Sequence, residues 1–257
     1  MQIHFVRNAT LIIHAGKHHI LVDPMLGPKG SGPSFAFFRH RSQRNPIVDL
    51  PSNVEPVLET ITAGLITHCH FDHLDPVGVR LLAQQQVPVY CSPWDEARLQ
   101  KQGLAAIPLD PRQSHDFLGG KITTFETAHG YGLIGKLMGQ GVGYLIELPD
   151  EPSLYLSGDT VLTPTVLEVL TKQRPGIAVL AAGSASLDLG KPILMPMEEI
   201  LGFIRLAPGT VMATHMEALN HCPVTRSQLR QTVTQARLDD KVRIPADGEV
   251  LTINVNG

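Results

Sequence analysis

A short segment at 67–75 carries the clearest chemical signal in this sequence. It contains the spacing His-x-His-x-Asp-His, formed by His68, His70, Asp72 and His73. In an extended run, His68 and His70 point to the same side of the chain and can hold one ion. Asp72 and His73 follow a turn, so their side chains can hold a second ion nearby. Imidazole and carboxylate ligands favour zinc, iron or manganese over calcium or magnesium.

Three further residues of ligand type stand at the ends of predicted strands. His129, Asp159 and His215 each follow a run of apolar and β-branched residues, as His68 does after the run at 64–67. Sheets that carry helices outside place their sites at the carboxyl ends of strands, so these residues can converge. One such residue alone would be read as part of a loop. Four strand ends bearing His or Asp predict a single metal centre.

Residues near these candidates receive different interpretations. His221 and Asn220 follow the last of the candidate histidines closely. We expect His221 to be a catalytic or substrate-facing residue, with packing at a helix start as the alternative. Asp75 is expected to cap the turn after the motif. Cys69 alternates away from the first two histidines of the motif, which predicts a buried thiol rather than a ligand or nucleophile.

The elements that must position these residues alternate between strands and helices. The sequence predicts a hairpin at 10–23, and helices at 77–86, from Ser92, at 165–172, at 197–206 and after a Thr225 cap. It also predicts strands at 122–128, 177–181 and 211–214, and hairpins at 142–157 and at Asp247–Gly248. This order predicts an α/β fold in which a mixed sheet has helices outside. We expect one domain over 1–257, made of two halves of similar layout that meet near 125–140.

The composition excludes several classes of protein. The chain has 257 residues and a net charge of -3, which argues against a general binder of nucleic acid or acidic membranes. No apolar run approaches the roughly 20 residues that span a bilayer. The N-terminal residues lack the pattern of a secretory signal, and three cysteines form no disulfide framework. We therefore expect a cytoplasmic protein that binds neither nucleic acid nor membrane.

The segment at 27–46 is predicted to be a loop that overhangs the metal centre. It holds four cations and no acid, interleaved with three phenylalanines. This pattern predicts that Arg39, Arg41 and Arg44 bind an anionic substrate. A contact with a second copy of the chain, or a solvated loop, is the alternative, and a homo-oligomer therefore stays open.

The order of the candidate ligands resembles that of the metallo-β-lactamase superfamily over essentially the whole chain. Within it, the sequence is most similar to bacterial metal-dependent hydrolases grouped with ascorbate-6-phosphate lactonase and N-acylphosphatidylethanolamine phospholipase D. The segments that carry this closer similarity are 7–10 and 215–222. The resemblance implies the four-layered αββα sandwich of the superfamily. Many relatives have Gly-His where this chain has Arg7-Asn8, so a role of that histidine does not carry over.

The resemblance also implies a ligand set for two ions. It assigns His68, His70 and His129 to the first metal, assigns Asp72, His73 and His215 to the second, and makes Asp159 the bridge between them. Two divalent ions about 3.5 to 4 Å apart lower the pKa of a shared water toward about 7. Zinc is the expected metal, with manganese and iron as alternatives.

These residues predict a binuclear hydrolase. A hydroxide held by the metals would attack an ester, lactone or phosphodiester bond of a small substrate, and an anionic substrate would suit the arginines of the loop. Asp72 is placed to orient the nucleophile and to accept its proton. No serine or cysteine nucleophile is indicated, and no organic cofactor is predicted.

Other functions remain as alternatives. A metal-binding or ligand-sensing protein with a vestigial site would keep the same fold, and an RNA-processing nuclease is disfavoured by the net negative charge. A flavodiiron protein would have a carboxylate where His70 stands. A glyoxalase II would add a C-terminal helical domain, whereas this sequence is predicted to end in a hairpin.

Overall fold

Two seven-stranded sheets form the centre of the computed structural model, which describes residues 1–253. The chain begins with β1 (Gln2–Arg7), β2 (Thr10–Ala15), β3 (His18–Val22), β4 (Ala63–Leu65), β5 (Pro88–Cys91) and β6 (Ala105–Pro108). It continues with β7 (Ser114–Phe117), β8 (Gly120–Glu126), β9 (Val142–Glu147), β10 (Leu154–Leu156), β11 (Ile177–Ala181), β12 (Thr210–Thr214), β13 (Val242–Arg243) and β14 (Val250–Thr252). The first sheet has the order β14-β1-β2-β3-β4-β5-β6, and the second has the order β13-β12-β11-β10-β9-β8-β7.

Helices cover the outer faces of both sheets. They are α1 (Glu55–Leu58), α2 (Pro76–Gln85), α3 (Pro93–Lys101), α4 (Gly132–Leu137), α5 (Pro164–Glu168), α6 (Met197–Leu206) and α7 (Arg226–Gln235). The Asp75 carboxylate accepts from the first amides of α2, and Thr225 forms a capping box with Gln228 at the start of α7. The order helix, sheet, sheet, helix confirms the αββα sandwich. Within residues 1–253, no helix combines the length and the apolar character that crossing a bilayer requires.

The central strands are apolar on both faces because both faces are covered. Leu11 and Ile13 of β2 pack in the cluster between the sheets, whereas Ile12 packs in the cluster beneath the outer helices. The same division holds in β11, where Val179 faces the other sheet and Leu180 faces the helices. Successive side chains of a strand alternate between faces, so a strand buried on both sides reads as a continuous apolar run.

Two details of the predicted layout are wrong. The chain passes from the first sheet to the second at 109–113, ahead of the predicted boundary at 125–140, because β7 already pairs with β8. The predicted closing hairpin at 247–248 does not form: β13 pairs with β12 in the second sheet, and β14 pairs with β1 in the first. The segment between β13 and β14 therefore joins the two sheets. A single domain over 1–257 stays a prediction, and its last four residues lie outside the described part.

Candidate metal centre

The seven predicted ligands come together at one edge of the two sheets. His68 begins the motif three residues after β4 ends, and His129, Asp159 and His215 follow β8, β10 and β12. All of these side chains are buried except that of His70, which is partly exposed. Strand ends from both halves of the chain thus supply one site, which is the convergence that their positions in the sequence predict.

The first group consists of His68, His70 and His129. The Nε2 atom of His68 lies 2.9 Å from Nδ1 of His70. The ring centre of His129 lies 5.1 Å from that of His70 and 5.4 Å from that of His68. One nitrogen from each residue lies within 4.8 Å of the others, a separation that allows three imidazoles to share one ion.

The second group consists of Asp72, His73, Asp159 and His215, whose ligand atoms also lie within 4.8 Å of one another. Nε2 of His215 is 3.3 Å from Oδ2 of Asp72, and Nε2 of His73 is 3.2 Å from Oδ1 of Asp159. Oδ2 of Asp159 lies 3.4 Å from Nε2 of His129 and 3.5 Å from Nε2 of His215. This carboxylate therefore stands between the two groups, within reach of both.

Two features of the second group fit a bound cation. Nε2 of His73 faces Nε2 of His215 at 3.3 Å, so two lone pairs would repel unless a proton or a cation lies between them. Oδ1 of Asp159 is buried and has no hydrogen-bond partner among residues 1–253, although His73 is close to it. A buried carboxylate oxygen without a donor is costly, and a metal ion removes that cost. The donor set therefore fits a metal.

The protonation equilibria of the two groups differ. Burial and the neighbouring His73 hold the pKa of His68 well below its ordinary value. Burial also disfavours the charged form of His73, but the carboxylates of Asp159 and Asp23 outweigh it and raise the pKa of His73 to about 10. Burial opposes ionisation of Asp159 as well, yet His215 and His73 hold its pKa well below the usual range. The second group thus favours positive charge between its carboxylates, supplied by protons or by an ion.

Asp23 orients the motif, a role that the sequence does not reveal. Its Oδ2 accepts from Nδ1 of His73 at 2.8 Å and from the Thr67 hydroxyl at 2.7 Å. Its Oδ1 accepts from the Thr67 amide at 2.8 Å. A carboxylate on Nδ1 leaves Nε2 of His73 free to bind an ion, as is common for metal-ligating histidines. Asp23 lies 50 residues before His73, so no local spacing links the two.

Two other candidate ligands are also oriented through Nδ1. His129 donates from Nδ1 to the carbonyl of Ile193 at 2.9 Å. Nδ1 of His215 lies 3.5 Å from Sγ of Cys222, a residue to which the sequence assigns no function. Burial raises the pKa of the Cys222 thiol, but His221 and His215 outweigh it and lower the pKa to about 7. In each histidine, the contact at Nδ1 directs Nε2 toward the centre.

Asn8 connects both halves of the second group. It lies in the turn between β1 and β2 with a φ of 58°, a left-handed conformation that Asn tolerates. Its side-chain amide donates to the carbonyl of Asp72 at 3.0 Å, and its own carbonyl accepts from the His215 amide at 2.8 Å. The neighbouring Arg7 is fully buried and donates to the carbonyls of Met25, Gly27 and Val48. The Arg7-Asn8 pair therefore holds the metal centre and the start of the 27–46 loop.

Two residues predicted to be non-ligands lie outside both groups. Asp75 caps α2 and accepts from the Gly27 amide at 2.5 Å through its other oxygen. Cys69 is buried in the cluster under α2 and α3, where burial and the carboxylate of Asp95 raise the pKa of its thiol. Both predictions are confirmed.

A cavity of about 340 Å³ opens onto both groups of ligands. Its polar lining consists of Ser34, His70, Asp72, His129 and His221. Its apolar lining consists of Phe35, Phe71, Met138, Leu187 and Ile193. The cavity thus has an apolar wall and a polar side that includes the candidate ligands His70, Asp72 and His129, a combination that is usual for a small-molecule site.

The structure does not bring the three predicted substrate-binding arginines to this cavity. Arg44 donates to the carbonyls of Gly30 and Ser31 within its own loop, and Arg39 donates to the carbonyl of Gly190. Arg41 is exposed and does not line the cavity either. The loop itself does reach the cavity, through Ser34 and Phe35. Its arginines meet backbone carbonyls and solvent. The charge pattern of the sequence is the same for such arginines and for arginines that bind an anion, so it could not separate the two cases.

His221 and Asn220 have separate surroundings. His221 is buried in the cavity wall, and its ring meets that of Phe35 edge to face at 5.0 Å. Asn220 faces the 27–46 loop instead: its Oδ1 accepts from the Phe35 amide at 3.0 Å, and its Nδ2 donates to the carbonyl of Ala36 at 2.8 Å. Of the two neighbours, only His221 lines the cavity.

Comparison with known proteins identifies the class of this chain. A family profile described as the beta-lactamase superfamily domain matches residues 18–216. The UPF0173 protein YddR of Bacillus subtilis is 29% identical over 98% of this chain and 100% of its own length. The chain belongs to the metallo-β-lactamase superfamily, and it is a metal-dependent hydrolase of that group with a His/Asp cluster able to bind metal.

Two solved structures resemble the chain over nearly its whole length. The isothiocyanate hydrolase from Delia radicum gut bacteria is 32% identical, with a TM-score of 0.89 over 98% of this chain and 99% of that one. A "possible metal-dependent hydrolase" of Veillonella parvula is 28% identical, with a TM-score of 0.91 over the same shares. Both have the fold described above.

Proposed function

We propose that this protein is a metal-dependent hydrolase that adds water to an electrophilic carbon of a small, uncharged substrate, with an isothiocyanate as the first candidate. One observation carries the proposal: an apolar cavity of about 340 Å³ opens directly onto both groups of candidate ligands. The similarity to an isothiocyanate hydrolase at 32% identity supports the same substrate class.

The lining of the cavity favours an uncharged substrate. In the described part of the chain, no lysine or arginine lines the cavity, and the three loop arginines donate to backbone carbonyls or face solvent. A phosphodiester would meet no cationic side chain in this lining, so its negative charge would rest on the bound ions alone. Five apolar side chains instead provide a surface for an alkyl or aryl group.

The donor set would hold two divalent ions. His68, His70 and His129 would bind the first, and Asp72, His73 and His215 the second, with Asp159 shared. Zinc is the proposed metal, with manganese and iron as alternatives. When bound, such ions supply an acidified water and a Lewis acid for the electrophile.

The chain's own residues would manage the proton. Asp72 lines the cavity beside the second group, so its carboxylate can accept a hydrogen bond from the attacking water. His221 lines the same cavity and can donate to the atom that gains charge. In an isothiocyanate, a carbon–oxygen bond forms and the electron pair of the carbon–nitrogen double bond takes a proton at nitrogen. In the resulting thiocarbamic acid the carbon–nitrogen single bond then breaks, its electron pair takes the proton of the O–H group at nitrogen, and carbonyl sulfide and an amine are released.

A neutral ester or lactone is the second candidate substrate. It too presents an electrophilic carbon, and an apolar chamber accommodates it as readily as an isothiocyanate. Its hydrolysis would use the same water and the same proton donor. The substrate remains a small molecule in either case, and neither proposal requires a protein partner.

A panel of substrates tests this proposal. Protein loaded with zinc, manganese or iron is assayed with 2-phenylethyl isothiocyanate, phenyl acetate, a γ-lactone and bis(4-nitrophenyl) phosphate. We expect turnover of the isothiocyanate, weaker or no turnover of the neutral ester and lactone, and none of the phosphodiester. Preferred hydrolysis of the phosphodiester would overturn the assignment to an uncharged substrate.

The proposed location is the cytoplasm. Cys69, Cys91 and Cys222 are all buried thiols without a disulfide partner. Free buried thiols suit a reducing compartment.

A further inference from the structure

Two segments meet beside the mouth of the cavity and carry parts of its wall. The 27–46 loop contributes Ser34 and Phe35, and the segment at 184–191 contributes Leu187. The carboxylate of Asp188 joins them. It accepts from three successive amides of the loop, those of Phe37 at 2.9 Å, Phe38 at 2.8 Å and Arg39 at 3.0 Å.

The segment that carries Asp188 is itself held from the opposite side. Gly190 lies so close to Ile134 of α4 that a Cβ atom there would displace the end of the Ile134 side chain, and its φ of 90° favours glycine. The ammonium of Lys191 lies 5.9 Å from the centre of the Tyr131 ring, just before α4. The segment that carries Asp188 therefore contacts the loop on one side and α4 on the other. The loop amides thus donate to a carboxylate whose own segment packs against a helix.

Phe35 is held on both sides by these contacts. Two residues ahead of the first amide that donates to Asp188, the amide of Phe35 donates to Oδ1 of Asn220 at 3.0 Å. The Phe35 ring then packs edge to face on His221 and, at 6.5 Å, on Phe71, both of which line the cavity. The backbone that carries this aromatic wall is thus hydrogen-bonded to Asn220 at one end and to Asp188 at the other.

We propose that Asp188 is a positioning residue: through its bonds to the loop amides it holds the Phe35 ring in the cavity wall, an arrangement called the latch below. The latch determines how tightly the cavity binds an apolar group of the size of a phenyl ring. Asp188 does not line the cavity and acts only through the loop amides it accepts from. The inference rests on the proposed function, because it concerns the substrate of the same cavity.

The test uses Asp188→Ala in the full, zinc-loaded chain. Asp116→Ala is the matched control, since Asp116 is an exposed aspartate on the β7–β8 hairpin, paired with Lys121 and absent from the cavity lining. Hydrogen–deuterium exchange reports on the amides at 34–40. Calorimetry measures binding of 1-(2-phenylethyl)thiourea, a neutral analogue of 2-phenylethyl isothiocyanate. Where turnover is found, KM and kcat are compared for 2-phenylethyl and methyl isothiocyanate.

We expect faster exchange at 37–39 and about 10-fold weaker thiourea binding in the Asp188 variant, because the ligand must then supply the free energy of ordering the loop. KM should rise for the aryl substrate more than for the methyl one, with kcat little changed, and the Asp116 variant should match the wild type. Unchanged exchange and unchanged binding would overturn the latch, as would wild-type protein that does not bind the thiourea. If binding weakens as expected but no isothiocyanate is hydrolysed, the latch stands and the proposed reaction fails.

Discussion

Replacing Asn8 with glycine tests whether the turn between β1 and β2 sets the geometry of the metal centre. Glycine adopts the φ of 58° at this position without strain, and its carbonyl can still accept from the His215 amide. The hydrogen bond that the variant loses is the 3.0 Å one from the Asn8 side chain to the carbonyl of Asp72. That carbonyl belongs to a buried residue in the turn that presents Asp72 and His73.

The size of the effect follows from leaving a buried carbonyl unpaired, which costs about 1 to 3 kcal/mol. Part of this cost appears as lower stability of the metal-free fold. The rest appears as weaker binding of the second ion, because the Asp72 turn can relax when no ion holds it. If the whole cost fell on metal binding, affinity for the second ion would drop about 5- to 150-fold. The first ion, held by three histidines, should bind as before.

The assay is a competitive zinc titration that resolves two binding steps, together with thermal unfolding of the apoprotein. Asp150→Gly is the control, because Asp150 is an exposed turn residue with a φ of 61° and does not belong to either ligand group. It should reproduce the backbone effect of glycine without changing either zinc affinity. If Asn8→Gly lowers only the unfolding temperature and leaves both zinc affinities intact, Asn8 supports the fold and not the metal centre.

Three further substitutions test the assigned roles. Asp159→Asn removes the charge shared by both groups, so bound zinc should fall from two ions toward one, and turnover should fall by orders of magnitude. Two retained ions with normal turnover would contradict the role of Asp159 as the bridge. His221→Phe keeps the aromatic contact but removes the proton donor, so kcat should fall about 100-fold with unchanged metal content, and an unchanged kcat would refute the role. Arg41→Ala removes an exposed cation of the loop whose side chain does not line the cavity, so KM for a neutral isothiocyanate should stay within about twofold, whereas a large rise would return this arginine to the substrate site.

The predictable part of this structure is the part that local patterns encode. The motif at 67–75 fixes four candidate ligands by spacing alone, and its extended start places His68 and His70 side by side. Apolar runs such as 177–181 mark strands because both of their faces are buried. The remote ligands could be found because each follows such a run, and strand ends share one edge of a sheet.

The remaining features depend on contacts between distant segments. Nothing in the local sequence links Asp23 to His73, and nothing near Asn8 signals its bond to Asp72. β7 escapes prediction because its short sequence, Ser-His-Asp-Phe, is stabilised by pairing with β8 and not by an alternating pattern. The prediction for the loop arginines was wrong for a related reason. The composition shows that cations are present, whereas the folded backbone determines which carbonyls or ligands their side chains contact.

The central claim, that divalent metal held by this His/Asp cluster performs the hydrolysis, is tested most directly by titrating activity against bound metal. Apoprotein prepared with a chelator receives zinc in steps, and bound ions per chain and hydrolysis of 2-phenylethyl isothiocyanate are measured on the same samples. We predict no activity in the apoprotein and a rise that saturates as the second ion binds. An apoprotein that binds no divalent ion, or one that hydrolyses the substrate at the full rate without metal, would contradict the account.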